Sequence, residues 1–191
     1  MPLPNPGAGR RHLHTRTLKI DGYEREDGLF EIEGHLTDVK HFDVNASHFL
    51  RKAGDPIHDM KIRLTLDGEM NIVDAFAVTD GMPYENECNK ITPDYREKLK
   101  GQKIAAGFRI FLAGLFGKLK GCAHMTELLG SMAPAAIQSM YGHGRAKVPD
   151  PDKKPFQLDG CHALDTRGPV VEKYYPRWFQ RDAAEVPELK P

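Results

Sequence analysis

Apolar and polar residues alternate along much of the first half of the chain. In RTLKI, Leu18 and Ile20 share one face. In GLFEIEGHLTDVKHF, Phe30, Ile32 and Leu36 recur at period two, with Glu31, Glu33 and His35 on the other face. In DMKIRLTLDG, Met60, Ile62, Leu64 and Leu66 alternate with Lys61, Arg63 and Thr65. Period-two patterns of this kind predict half-buried strands. Asp67-Gly68 is a turn signal and NIVDAFAVTDG resumes the alternation, so residues 58–80 are expected to form an antiparallel hairpin with one buried face.

The period then lengthens. TPDYREKLKG offers Thr92 as an N-cap, Pro93 at the first helical position, acidic residues early, lysines late and Gly101 as a stop. Ile104, Phe108, Phe111, Leu112, Leu115 and Leu119 recur at helical spacing and predict an amphipathic helix, with Lys103, Arg109 and Lys118 on its wet side. Met125, Leu128, Leu129, Met132 and Ala136 mark a third helix, which Pro134 is expected to bend or divide. Strands followed by helices are the pattern of an α+β domain, here an antiparallel meander sheet covered on one face by helices. Around this core domain, residues 15–145, stand a Pro-, Gly- and Arg-rich arm, residues 1–14, and a Pro-rich extension, residues 146–191. Tyr174, Tyr175, Trp178 and Phe179 in the extension are costly to leave in water. They are expected to dock on the core or on a second copy of the chain, which makes a homodimer an expectation.

Composition narrows the partners. Lys plus Arg and Asp plus Glu both total 27, for zero formal net charge, and no basic stripe suggests nucleic acid. No apolar run reaches the roughly 20 residues of a membrane span, and the N-terminus lacks the apolar core of a secretory signal. A cytoplasmic protein acting on a small molecule is expected, with neither nucleic acid nor membrane as partner. The three cysteines, Cys88, Cys122 and Cys161, are too few and odd in number for a disulfide framework.

Four residues are candidates to converge. His58 sits at the mouth of the expected hairpin, Cys88 after its second strand, and Cys122 and His124 at the start of the third helix. Two thiolates and two imidazoles are a common zinc set, and strand and helix starts at one end of a sheet can meet. The bland alternative is a loop cysteine, a buried thiol and a hydrogen-bonded histidine. Cys161 and His162 repeat the Gly-Cys beginning and are read as structural. Asp59 and Glu127 are candidate catalytic carboxylates. Arg25, Asp27, Asp38 and Lys40, on charged strand faces, are candidate substrate contacts, with a merely solvated sheet face as their plain alternative.

Two resemblances bear on this reading. PIHDMKIRLTLDGEMNIVDAFAVTDG, then Cys88, LKGQKI and GCAHMTELLGSMAPAAIQ resemble the iron–sulfur cluster scaffolds of the IscU and NifU type over residues 56–140. That likeness implies a scaffold-like fold and places His58, Cys88 and Cys122 at the three ligand positions, with Asp59 at the nearby Asp. His58 stands where the scaffolds have cysteine, and their Leu-Pro-Pro-Val-Lys segment is absent. These departures favour zinc, or a single iron, over a cluster. Over nearly the whole chain, REDGLFEIEGHLTDVK, PIHDMKIRLTLD, GCAHMTELL and GPVVEKYYPRWF resemble the bacterial family catalogued as domain of unknown function 2889. Genes of that family lie near the catabolism of aromatic and other small organic acids. The leading expectation is therefore a zinc enzyme, with iron as the alternative metal, of hydrolase or lyase type on a small organic substrate, aromatic ones included. A non-catalytic metal-binding or scaffold-like protein is the first alternative. Cysteine catalysis at Cys122 without metal, with His124 or His58 as base, is the second.

Overall fold

Four long strands form one antiparallel sheet in the order β1-β2-β5-β6. They are β1 (His14–Glu24), β2 (Phe30–Lys40), β5 (Pro56–Leu66) and β6 (Ile72–Gly81). Between β2 and β5 a small hairpin, β3 (Val44–Ala46) and β4 (Phe49–Arg51), stands apart as a second sheet. The helices are α1 (Thr92–Leu99), α2 (Phe108–Phe116), α3 (Ala123–Met140) and α4 (Pro169–Tyr174). The structure, a computed structural model, describes residues 2–46, 49–142 and 150–181. Residues 143–149 of the Pro-rich segment and residues 182–191 of the extension lie outside these. The chain divides into two compact units, Met1–Lys147 and Val148–Pro191.

The first unit is α+β, as the patterning predicts. Every second residue of β2 from Phe30 to Asp38 is buried, because successive side chains of a strand point to opposite faces. Met60, Ile62, Leu64 and Leu66 form the matching row on β5. α3 lies over β1, β2 and β5, and α1 lies over β6. The helix comes close to the sheet at two glycines: an added Cβ at Gly34 of β2 would stand 2.7 Å from Met132 Sδ and 3.0 Å from Leu128 Cδ1, and one at Gly22 of β1 would stand 2.6 Å from Ser139 Cβ. The opposite face carries ion-paired charge, including Lys19–Asp21, Arg63–Glu33 and Lys61–Asp80.

Three local expectations need correction. α1 begins at Thr92 with Ile91 as its N-cap, and no side chain caps it. The second helix does not reach back to Ile104. Residues 101–104 instead bond to the start of β6, with Gly101 N–H to Ile72 O, Ile72 N–H to Gln102 O and Ile104 N–H to Met70 O. Gly107, at φ 80°, then turns the chain into α2, and a left-handed residue of this kind favours glycine. Leu119 lies beyond the helix and is fully exposed. Pro134 does not divide α3, which runs unbroken to Met140. Proline removes the N–H that would bond to the carbonyl four residues earlier. That carbonyl belongs to Gly130 and accepts from Arg109 Nε of α2 at 3.2 Å instead.

Among its described residues, the second unit has Leu158 and Val171 as buried apolar side chains. It is organised around Asp159, whose carboxylate accepts from Thr166 N–H, Thr166 Oγ1 and Lys154 Nζ. Trp178 and Phe179 are half-buried and Tyr174 is exposed.

Candidate metal centre

On β1, β2 and β5 the inward row is apolar in mid-sheet and turns polar at one end. On β1 it passes from Ile20 and Leu18 to Arg16 and His14, on β2 from Leu36 to Asp38, and on β5 from Met60 to His58. The register sets Arg16 opposite Asp38 and Asp38 opposite His58. Three strands thus deliver a guanidinium, a carboxylate and an imidazole side by side. Just beyond, Val39 pairs with Pro56, so Ile57 is an extra residue in β5. A bulge of this kind ends regular pairing and re-aims neighbouring side chains.

Asp38 is the hub. It is 4% exposed. Its Oδ1 accepts from His14 Nε2 and Arg16 Nε, both at 2.8 Å. Its Oδ2 accepts from Arg16 Nη2 at 2.7 Å and from His58 Nδ1 at 2.9 Å. A carboxylate has about four lone-pair positions, and a cation seated between Asp38 Oδ2 and His58 Nδ1 would take the place of the proton those two atoms share. Burial works against the charged form of Asp38, but the hydrogen bonds and charge of Arg16, with His14 and His58, outweigh it and hold the carboxyl far below the usual range. For His58 burial is the largest influence, and it lowers the imidazole pKa from the ordinary 6.5 despite the pull of Asp38. His58 therefore favours its neutral form, the form that binds metals.

α3 closes the cluster from above. The His124 ring lies against His58, with centroids 3.8 Å apart and planes tilted by 31°, and its Nε2 lies 3.8 Å from Asp38 Oδ2. Glu127, one turn along, pairs with the free side of Arg16 at 2.6 Å. The start of α3 is fixed by Tyr95 of α1, which is fully buried. Its hydroxyl accepts from Cys122 N–H at 2.8 Å and donates to Cys122 O at 3.1 Å. Gly121 makes room for this clamp. A Cβ there would stand 2.7 Å from Phe116 O and 3.0 Å from Tyr95 Oη. Cys122 is the N-cap of α3, and its Sγ lies 3.8 Å from His124 Nδ1. Burial raises the Cys122 thiol pKa, but the hydrogen bond with His124 and the backbone N–H groups of Met125 and His124 outweigh it, for a net lowering.

Among the described residues, one set of His, Cys, Asp or Glu donor atoms lies mutually within 4.8 Å: Asp38, His58 and His124. Of the four ligands expected from the sequence, His58 and His124 belong to this set and Cys88 and Cys122 do not. Cys88 opens a one-turn helix, Cys88–Ile91, that packs beside β6. Cys122 stands behind His124. Asp59, expected as base or ligand orienter, points to the other face of the sheet, where it accepts from His35 Nε2 at 2.7 Å. Glu127 reaches the cluster only through Arg16. Asp38 is buried at the centre rather than offered on an open strand face. Lys40 stands near it at the end of β2. Arg25 and Asp27 pair with each other at the β1–β2 turn, which the register puts at the opposite end of the sheet. Eight residues of strand separate Phe30 there from Asp38, about 26 Å at the usual rise.

The fold and site define an α+β protein whose four-stranded sheet carries a histidine–carboxylate cluster, centred on the buried Asp38, under a helix N-terminus. The chain belongs to a family of proteins of unknown function, DUF2889, whose model matches residues 14–138. No curated protein and no solved structure matches it. The likeness of residues 56–140 to the iron–sulfur scaffolds thus rests on its motifs alone. Among the described residues no helix is long and apolar enough to cross a membrane.

Proposed function

We propose that this protein is a metal-dependent enzyme of hydrolase or lyase type, holding one divalent ion between Asp38, His58 and His124. The observation that carries the reading is the convergence of two imidazoles and one carboxylate within 4.8 Å. Two histidines and a carboxylate serve catalytic zinc sites and also non-haem iron sites. Bonds of about 2.1 Å in a tetrahedral shell put ligand atoms about 3.4 Å apart, between the 2.9 Å of His58–Asp38 and the 3.8 Å of His124–Asp38. Three protein ligands leave a position for water or substrate, as catalytic rather than structural sites do. Zinc is the metal of choice and iron the alternative. An ion here would polarise a substrate oxygen and acidify a bound water. Arg16 holds Asp38 by a two-pronged contact and is itself held by Glu127, so the carboxylate is oriented before any ligand arrives. A small organic acid is the proposed substrate class, because Arg16 and Lys40 place cations at the same end of the sheet.

The test is elemental analysis of untagged protein, with His58→Ala, His124→Ala and Asp38→Asn beside it. One equivalent of metal in the wild type, lost in all three variants and retained in Cys88→Ala, is the expected result. Wild-type protein without stoichiometric metal refutes the reading. Thiol catalysis at Cys122 is the second reading, favoured by the 3.8 Å approach of Sγ to His124 Nδ1. It requires rapid alkylation of Cys122 by iodoacetamide at neutral pH, slowed in His124→Ala.

A further inference from the structure

The structure assigns Cys122 a positioning role. We infer that its sulfur accepts the Nδ1 hydrogen of His124 and so commits Nε2 of that ring to the metal. The inference rests on the three-ligand reading above and goes beyond it, since nothing in the ligand set itself says which nitrogen of His124 is available.

Geometry carries it. The N-cap residue lies just outside the helical conformation, and its side chain folds back over the first turn, within reach of the second and third helical residues. Cys122 has φ −89° and ψ 129° at this position, and His124 is the second helical residue. Side chains two apart inside a helix do not face each other, but an N-cap and the second helical residue do. The imidazole is therefore held edge-on between two groups, with Nδ1 3.8 Å from Cys122 Sγ and Nε2 3.8 Å from Asp38 Oδ2. A ring that binds metal through Nε2 must carry its proton on Nδ1. Ligating histidines almost always give that second N–H to an acceptor, which fixes the tautomer and the ring plane. Here the acceptor facing it is sulfur.

The sulfur is poorly placed to ligate instead. It lies outside the set of converging donors, packs against the apolar core, and has Met60 Sδ as its other neighbour at 4.0 Å. Its backbone is pinned on both sides, by Tyr95 Oη at the N–H and the C=O and by Thr126 Oγ1 at the C=O. The motif Gly-Cys-Ala-His thus reads as a glycine that admits the tyrosine clamp, a cysteine that the clamp fixes, and a histidine that the cysteine aims.

The experiment uses untagged, full-length protein. Zinc affinity is measured by competition with a chromophoric chelator in wild type, Cys122→Ser and Cys122→Ala. Cobalt(II) spectra and imidazole nitrogen NMR are recorded alongside. Removing such a partner weakens metal binding by about 10- to 100-fold. That loss is expected in Cys122→Ala at unchanged one-to-one stoichiometry. Cys122→Ser, which retains an acceptor, should recover most of it. The NMR spectrum should show His124 protonated at Nδ1 in wild type and a mixture of tautomers in Cys122→Ala. Equal affinity in all three proteins overturns the inference. So does a sulfur-to-cobalt charge-transfer band in wild type that both variants lose, because sulfur would then be a ligand. Wild-type protein that binds no zinc refutes the three-ligand reading itself and the inference with it.

Discussion

Tyr95→Phe isolates the clamp that seats the candidate site. The substitution removes one oxygen and leaves the ring, which stacks on Phe116 with centroids 4.3 Å apart and planes 13° from parallel. Packing in the core is therefore preserved. Two hydrogen bonds are lost, and they are lost unequally. The Cys122 carbonyl still accepts from Thr126 N–H at 3.0 Å and Thr126 Oγ1 at 2.8 Å. The Cys122 N–H is left without its phenol acceptor. An orphaned, partly buried donor costs about 1–3 kcal/mol, and a lost bond to a satisfied carbonyl about 0.5 kcal/mol. The expected total is about 2 kcal/mol. In a domain of this size that is a fall in Tm of about 4–8 °C. The probe must be chosen with care, because the single tryptophan, Trp178, lies in the C-terminal unit. Urea unfolding followed by far-ultraviolet circular dichroism reports the helices of the N-terminal unit instead. A midpoint shift worth less than about 0.5 kcal/mol, the low end for one hydrogen bond, would falsify the claim that Tyr95 anchors the start of α3. A shift of the expected size with unaltered zinc affinity would show that the clamp serves stability alone.

Other outcomes follow from particular contacts. Asp38→Ala leaves Arg16, His14 and His58 facing one another without their acceptor, and breaking a buried pair costs about 3–5 kcal/mol; urea unfolding should show a loss near the lower figure, since Arg16 keeps Glu127. Arg109→Ala strips the Gly130 carbonyl that Pro134 cannot serve, at about 1 kcal/mol. In the Pro134→Ala background the restored N–H takes over that carbonyl, so a double-mutant cycle should give coupling of about 1 kcal/mol, and strict additivity would contradict the pairing. In the C-terminal unit, Lys154 and the Thr166 N–H and hydroxyl lower the Asp159 pKa to about 2 from the ordinary 3.8. A depressed folded-state pKa gives stability that is complete above the unfolded value and lost as pH falls toward the folded one. Trp178 fluorescence should therefore show the unit weakening between about pH 4 and pH 2, and Asp159→Asn should reduce that dependence to what Asp165, whose pKa Arg167 also lowers, contributes.

Much of the sheet was legible because each strand has one wet face. Leu18, Phe30, Ile32, Leu36, Met60 and Ile62 announce which parity points inward. The site was harder to see because it lies on that same inward parity, where the residues stop being apolar. Asp38 is two beyond Leu36, His58 two before Met60, and Arg16 and His14 two and four before Leu18. Extending the alternation past its last apolar member would have found all of them. Taking Asp38 as part of a charged strand face, and Asp59 as a neighbour of His58, ignored the rule that adjacent residues face opposite ways. Cys88 is grouped with the site by its place after the second hairpin strand and by the scaffold resemblance, but the chain folds there into a one-turn helix beside β6. His124 carries a comparable helical signal, four residues before the buried Leu128. What no local pattern encodes is the height of α3 above the sheet, which Tyr95, Gly121 and Gly34 set through contacts distant in sequence.

Gly34 makes that height a mid-sheet property. With no side chain there, Met132 and Leu128 rest almost on the backbone of β2. The contact acts as a fulcrum: His124 lies four residues of helix from Leu128, about 6 Å along the axis, and Asp38 lies four residues of strand from Gly34, about 13 Å. A methyl group inserted at the pivot would press first on the side chains of Met132 and Leu128, and what those buried side chains cannot absorb would reach the helix and the gap between His124 and Asp38. The aperture of the site is thereby tunable from a position that touches none of its residues.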